Sequence, residues 1–227
     1  METRYRTMNQ LKCVIFDMDG TLIDSLPLCV EAFQLAVEHI AQRKITDEEI
    51  FAAFGPSDEG TIRAIVPDAV ESCMEQFLYH YRRLHPVMCP KPFDGIIDIL
   101  EGLKSQHILV GLVTAKGPRS LAITFEELGL EHYFDAVETG SPLRANKPEC
   151  LRNILCKFNL SPSESVYIGD SPSDITACRE VSIPIYSAAW SKVDLPKLQS
   201  MQPDHIVHSV EDLKVLLLSC QSYCPSV

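Results

Sequence analysis

The sequence predicts an α/β fold: a doubly wound parallel sheet with an all-α insertion. Short apolar runs alternate along most of the chain with segments of helical periodicity, the pattern of successive βαβ units. These runs are continuously apolar, as expected of parallel strands that are covered on both faces. Residues 24–90 break the alternation, because they contain helical patterns and no convincing strand. We therefore expect a core domain over residues 1–23 and 91–227, and a helical domain over residues 24–90.

Each element follows from a local pattern. Strands are predicted at residues 13–17, 108–114, 136–138, 165–169, 184–188 and 205–207. Helices between them are predicted to begin near residues 94, 118, 147 and 172. In the insertion, helical patterns cover residues 26–42, 46–54, 59–66 and 68–84, and Gly55-Pro56 and Pro67 separate them. Three prolines in residues 85–95 predict a linker that returns the chain to the core.

Composition limits the possible partners. The formal net charge is −11, which disfavours nucleic acid and anionic membranes, since both attract clustered Lys and Arg. No apolar run approaches the roughly 20 residues of a membrane-spanning helix, and "METRYRTMNQ" lacks the apolar segment of a signal peptide. Nine cysteines without a C-x-x-C pair indicate reduced thiols and no structural zinc. We expect a cytoplasmic protein, either a monomer or a homodimer.

Residues with useful chemistry follow three of the predicted strands. In an open parallel sheet, ligands bind beyond the carboxyl ends of the strands, so these residues should meet at one edge. The candidates are Asp17 and Asp19 after the first strand, Thr114, Ala115 and Lys116 after the second, Asp170 and Asp174 after the fourth, and Lys147 at the start of a helix.

This combination resembles the haloacid dehalogenase superfamily. Its four motifs occur in the family's order: "DMDGT" from Asp17, Thr114 at the end of an apolar strand, Lys147-Pro148 before a helix, and "GDSPSD" ending at Asp174. The match extends from Cys13 to about Val207, and the helical insertion stands where one branch of the family carries a cap. The resemblance implies a Rossmann-like core and is nearest to phosphoglycolate phosphatase-like and β-phosphoglucomutase-like members.

The resemblance also implies a mechanism. Asp17 would be the nucleophile that forms an aspartyl-phosphate, and Asp19 the general acid and base. Thr114, Ala115 and Lys147 would bind the transferring phosphoryl group, with Thr114 and Lys147 also catalytic. Mg²⁺ would be held by Asp17, Asp170, Asp174 and the backbone carbonyl of Asp19.

Other interpretations stay open for several of these residues. Asp17 and Asp19 could belong to a calcium loop or to the D-x-D of a nucleotide-sugar transferase. Asp174 also fits a purely structural capping box with Ser171 as N-cap. The enzyme could be a phosphomutase, because that reaction also uses two aspartates, or the chain could be a non-catalytic binding protein on the same fold.

The insertion restricts the substrate. Residues 24–90 carry eleven acidic and five basic side chains, which favours a small monophosphate or a compact sugar phosphate over a polyanion. Lys44 is the only lysine there and stands in a polar turn, so phosphonatase-like chemistry is disfavoured. Asp19 disfavours dehalogenation. The pattern leaves open the role of Lys116.

The remaining features have structural interpretations. Gly55, Ser57 and Asp58 occupy the position of a cap substrate loop, but a helix connection explains them equally well. Trp190 and Met201 are expected to be packing residues. Three histidines are expected to lie on the surface of the insertion: His39, His80 and His85.

Overall fold

The computed structural model describes residues 11–191 and 193–219, and a parallel sheet of six strands forms its centre. The strands are β1 (Cys13–Phe16), β2 (Leu109–Val113), β3 (Ala136–Glu138), β4 (Ser165–Gly169), β5 (Ile185–Ala188) and β6 (His205–Val207). Their order is β3-β2-β1-β4-β5-β6, so the sheet grows outward from β1, first on one side and then on the other. All neighbouring strands are parallel, which confirms the predicted doubly wound fold.

Helices fill the segments between the strands. They are α1 (Leu26–Ala41), α2 (Asp47–Ala53), α3 (Asp58–Ile65), α4 (Val70–Met88), α5 (Ile96–Ser105), α6 (Pro118–Leu128), α7 (Lys147–Phe158), α8 (Pro172–Val181), α9 (Leu195–Ser200) and α10 (Val210–Leu218). The first four lie between β1 and β2, as the sequence predicted for the insertion. Neither α9 nor α10 was among the predicted helices.

The sheet is buried on both faces. In β1, Val14 and Phe16 join one hydrophobic cluster, while Cys13 and Ile15 join the other. All four residues are fully buried, which explains why this strand is apolar at every position. The first cluster continues into the insertion, where Phe33 of α1 stacks on a ring of α4.

Helix α4 is longer than the sequence predicts. It continues through Pro86 to Met88, so the expected linker at residues 85–95 begins later. An interior proline removes one hydrogen bond and costs about 3 kcal/mol. His85 and Cys89 on this last turn are both buried. Packing of this face therefore offsets the proline, which the local sequence pattern could not show.

The surface prediction is wrong for His85. Its side chain is fully buried, and its ring packs edge-on against Tyr81 at 5.4 Å. The reason is that α4 packs between α1 and α6, so two of its faces are covered. His39 is exposed, as expected, and His80 is half-buried.

Several smaller predictions concern single residues. The cysteines within the described ranges are free, and only Cys156 of them is exposed. Two further cysteines, Cys220 and Cys224, lie outside the described residues. The first ten residues, which carry the signal-peptide interpretation, also lie outside them. Trp190 and Met201 pack against the two hydrophobic clusters. Within the described part of the chain, no helix is long and apolar enough to cross a membrane.

Candidate active site

The carboxyl ends of β1, β2 and β4 meet at one edge of the sheet. Phe16, the last residue of β1, lies in register with Leu112 of β2 and Ile168 of β4. The residues that follow these strands are therefore neighbours. The Asp17 backbone N–H donates to the Ile168 carbonyl at 2.8 Å, so Asp17 leaves the sheet in a defined position.

Three carboxylates converge there, and we call Asp17, Asp170 and Asp174 the acidic cluster. One ligand oxygen of each lies within 4.8 Å of the other two, and all three side chains are buried. Asp174 joins from the first turn of α8. Ser171 and Asp174 form the predicted capping box, so Asp174 is both a helix cap and a member of the cluster.

Lys147 lies against the acidic cluster. Its Nζ is 2.6 Å from Asp17 Oδ2, and it also donates to Asp174 Oδ1. The Tyr167 hydroxyl donates to the same Asp174 oxygen at 3.1 Å. Burial favours the neutral form of Lys147, but the negative charges of Asp17 and Asp174 together have the larger effect and raise the pKa of its ammonium group. Lys147 therefore stays protonated beside Asp17.

One lysine does not neutralise this cluster. Burial raises the pKa of Asp17 to about 7 against the opposing charge of Lys147, and Asp174 adds to the rise. Burial raises the pKa of Asp170 to about 8, and the charges of Asp17 and Asp174 contribute. Carboxylate oxygens without nitrogen or sulfur suit hard divalent cations. The chemistry of the donor set and its excess charge therefore fit a divalent metal ion.

The turn after β1 brings the backbone close to Asp170. Gly20 has a φ of +79°, and a Cβ atom there would lie 2.2 Å from Asp170 Oδ2. Only glycine fits this position without displacing the carboxylate. Thr21 then donates from its hydroxyl to Asp170 Oδ1 at 3.0 Å. The sequence reasoning missed this contact of Thr21.

The side chain of Asp19 points to different partners. Its Oδ1 accepts from Lys116 Nζ at 2.9 Å and from the Ser25 hydroxyl. The Asp19 carboxylate is therefore not part of the acidic cluster. Lys116 is buried, and its Nζ lies 4.7 Å from the centre of the Tyr81 ring. Lys116 is thus an ion-pair partner of Asp19.

Thr114 and Ala115 follow β2 at the same edge. Thr114 is buried, and its hydroxyl oxygen accepts from the Lys116 backbone N–H at 3.1 Å. The hydroxyl proton stays available for donation. Ala115 lines the adjoining cavity, whereas Thr114 is absent from the described lining residues.

A cavity of about 620 Å³ opens between this edge of the sheet and helices α1–α3. Its polar end is lined by Asp17, Asp19, Lys116, Lys147 and Asp170. The opposite side is an apolar wall, formed by Leu26, Cys29, Phe33, Phe51, Phe54 and Pro56. The core therefore supplies most of the charged groups, and the insertion supplies every residue of the apolar wall.

Asp58, which the sequence assigns equally well to a substrate loop or to a helix connection, links α3 to α6. Its Oδ2 accepts from the Gly117 backbone N–H at 2.8 Å and from the Ser120 hydroxyl at 2.5 Å. Gly117 is the N-cap residue of α6 and has no side chain of its own. Asp58 thus caps the N-terminus of α6 from a different helix. Gly117 in the N-cap position is the sequence signal that could have indicated an external cap.

Known proteins resemble this chain over nearly its whole length. Residues 14–188 match the haloacid dehalogenase-like hydrolase family. The pyrophosphatase PpaX of Listeria innocua is 27% identical over 215 residues, which cover 92% of this chain and 97% of that protein. A solved structure from Thermotoga maritima, provisionally named a β-phosphoglucomutase, is 28% identical with a TM-score of 0.70 and covers 91% of this chain and 98% of that one.

A further solved structure supports the fold alone. It comes from Haemophilus somnus, carries the provisional name phosphoglycolate phosphatase, and is 22% identical with a TM-score of 0.77. It covers 92% of this chain and 99% of its own. The family match, the parallel sheet and the four motifs at one edge of it agree. The chain therefore belongs to the haloacid dehalogenase-like hydrolase family, as an enzyme of the phosphatase type.

Proposed function

We propose that this enzyme is a Mg²⁺-dependent phosphatase that hydrolyses a small phosphate monoester through an aspartyl-phosphate at Asp17. One observation carries the proposal: Asp17 lies in the acidic cluster, 2.6 Å from a buried lysine, and lines a substrate-sized cavity. A calcium loop or a D-x-D transferase site would not need this lysine. The paired Asp17 and Lys147 also argue against a non-catalytic protein on this fold.

In the first step, Asp17 attacks phosphorus and the bond from phosphorus to the leaving oxygen breaks. Asp19 donates a proton to that oxygen. In the second step, Asp19 removes a proton from water, the water oxygen attacks phosphorus, and the carboxylate of Asp17 is released. Lys147 and the Thr114 hydroxyl stabilise the transferring group, and Ala115 bounds its site.

Mg²⁺ would be held by Asp17, Asp170 and the backbone carbonyl of Asp19, within the field of Asp174. Each oxygen of Asp174 already accepts two hydrogen bonds: Oδ1 from Lys147 and Tyr167, and Oδ2 from the backbone N–H and the hydroxyl of Ser171. Asp174 would therefore add negative charge and orient Lys147. When bound, the ion supplies positive charge that offsets repulsion between the nucleophile and the phosphate.

We propose that residues 24–90 act as a cap over the core. The support is that α1–α3 line one side of the cavity and that the start of α3 is hydrogen-bonded to core residues. Ser57 donates from its backbone N–H to the Ser141 carbonyl at 3.0 Å, beside the contact between Asp58 and Gly117. A cap of this kind opens for exchange and closes to exclude bulk water.

The decisive variant is Asp17→Asn. We expect it to fold normally and to release no phosphate from p-nitrophenyl phosphate in Mg²⁺, because an amide cannot form the acyl-phosphate. Asp24→Asn is the control, since Asp24 is exposed and does not line the cavity. Normal turnover by folded Asp17→Asn protein would disprove the covalent mechanism.

The similarity to the Thermotoga maritima protein supports a phosphomutase as a second candidate. A mutase would use Asp19 to activate a sugar hydroxyl instead of water. We expect that β-glucose 1-phosphate with a trace of the bisphosphate primer gives little glucose 6-phosphate. Its rapid formation, with almost no free phosphate, would establish the mutase.

A further inference from the structure

We propose that the substrate is a monophosphate ester of an uncharged, mainly apolar alcohol whose hydrocarbon group packs on the apolar wall. This inference rests on the proposed phosphatase function and specifies its substrate class. The proposed substrate differs from the compounds in the names of the relatives, because pyrophosphate and phosphoglycolate each carry a second anionic group.

Within the described residues, the cavity has no excess positive charge. Its described lining contains four carboxylates, Asp17, Asp19, Asp58 and Asp170, and two ammonium groups, Lys116 and Lys147. A divalent cation would bring this total to zero. The phosphoryl group itself then adds negative charge, and a second phosphate or carboxylate would add more without a cation to meet it.

Both lysines that line the cavity already have carboxylate partners. Lys147 is bound to two members of the acidic cluster, and Lys116 is bound to Asp19. Arg144 stands beside the lining residue Ala145, but it forms an ion pair with Glu149 at 2.5 Å. An additional anionic group on the leaving side would therefore be desolvated without compensation.

The hydroxyl groups of the core side of the cavity are hydrogen-bonded to the protein itself. Ser171 donates to Asp174 at 2.7 Å, and its oxygen lies 2.7 Å from the Ser173 hydroxyl. Thr176 donates to the Pro172 carbonyl at 3.2 Å. On the cap side, both contacts of Asp58 go to the protein. Few groups are left to bind the hydroxyls of a sugar, so a sugar phosphate would lose hydrogen bonds to water.

The apolar wall presents aromatic rings to the cavity. The rings of Phe51 and Phe54 meet edge to face, with their centroids 5.5 Å apart, and the centroids of the Phe54 and Phe33 rings are 5.9 Å apart. Phe51 remains 48% exposed although it belongs to this cluster. A hydrocarbon group placed against these rings would gain the free energy of burying apolar surface. A cavity of about 620 Å³ also has room for a leaving group larger than a two-carbon acid.

The test compares three esters of alcohols that have similar basicity with pyrophosphate, an anhydride whose phosphate leaving group is much less basic. Benzyl phosphate presents a ring, glycerol 3-phosphate presents hydroxyls, and 2-phosphoglycolate and pyrophosphate present a second charge. We expect kcat/KM in Mg²⁺ to be about tenfold or more higher for benzyl phosphate than for the other three. Benzylphosphonate, which cannot be hydrolysed, should bind about tenfold more tightly than methylphosphonate in calorimetry.

A set of variants connects this preference to the wall. Phe51→Ser should lower kcat/KM for benzyl phosphate about fivefold while leaving that for glycerol 3-phosphate nearly unchanged. Phe51→Leu should retain most of the preference. Tyr79→Ser is the matched control, because Tyr79 is an exposed aromatic of α4 outside the cavity lining.

The outcomes separate the two proposals. If pyrophosphate or 2-phosphoglycolate gives the highest kcat/KM and this activity needs Asp17, the substrate class is wrong and the phosphatase mechanism stands. If Phe51→Ser affects all esters equally, the apolar wall does not select the leaving group. If no ester is hydrolysed by the folded wild-type protein in Mg²⁺, both proposals fail.

Discussion

Asp17 and Asp19 are two positions apart, yet the structure gives their carboxylates separate partners. Asp17 pairs with Lys147 inside the acidic cluster, and Asp19 pairs with Lys116 beside Ser25. The two acids therefore differ in environment although they share one motif. The roles proposed for Asp17 as nucleophile and Asp19 as proton donor require such a difference, because the two groups would act on opposite sides of the phosphorus atom.

Asp19→Asn should separate metal binding from chemistry. The backbone carbonyl is retained, so Mg²⁺ affinity measured by calorimetry should change little. Turnover should fall by about 10²–10⁴-fold, since general acid–base catalysis is lost. Asp24→Asn again serves as the control. Turnover at the wild-type rate would show that Asp19 is not the proton donor.

His85 should make stability depend on pH. Burial lowers the pKa of its imidazole, and the charge of Lys116 lowers it further. The unfolded chain therefore binds a proton more readily, so stability should fall as pH decreases below about 6.5. Urea unfolding of wild-type protein and His85→Phe between pH 7.5 and 5.5 measures the difference. Equal losses in both proteins would contradict this role of His85.

At the scale of elements, α3 and α6 are held together by one carboxylate. Asp58 begins α3, and its hydrogen bonds reach the first turn of α6. Helix N-termini leave several N–H groups unpaired, and an acidic side chain satisfies them and complements the helix dipole. The cap and the core are therefore coupled through a helix end and not only through apolar contacts.

Asp58→Ala should destabilise the protein by about 0.5–2 kcal/mol, the usual cost of losing an N-cap. Urea unfolding is the measurement. Asp68→Ala is the matched control, because Asp68 is an exposed acid on a neighbouring turn of the insertion. If both variants have the same free energy of unfolding as wild type, the contact between Asp58 and α6 does not stabilise the folded protein.

At the scale of the whole molecule, three elements supply the acidic cluster. The carboxylates follow β1, follow β4 and begin α8, and a cation held by Asp17 and Asp170 would link the ends of β1 and β4. A ligand that binds only the folded state stabilises it by mass action. Metal binding and global stability should therefore be linked.

Mg²⁺ should raise Tm and restore the activity that a chelator removes, while Ca²⁺ should substitute poorly because its coordination shell is larger and looser. At a concentration of 100 Kd the stabilisation should be about 2.7 kcal/mol. Asp170→Asn should abolish the Mg²⁺ effect and raise Tm without metal, since like charges are removed. Full activity of wild-type protein in excess chelator would refute the metal requirement.

The sequence alone determined the sheet, the position of the insertion and the order of the motifs. These features are predicted by local patterns, because apolar runs, helical periodicity and motif spacing each involve residues close in sequence. A continuous apolar run predicts a covered parallel strand, and "SPSD" predicts the capping box that places Asp174. The parallel arrangement then brings Asp17 and Asp170 to one edge without further information.

Tertiary structure alone decided the partner of Lys116, the reach of Asp58 to α6, the burial of His85 and the composition of the apolar wall. Lys116 and Asp19 are 97 positions apart, and Asp58 and Gly117 are 59 apart. Such contacts depend on how the helices of the insertion pack on the core. Local periodicity identifies which face of a helix is apolar, but it does not identify which element will cover that face.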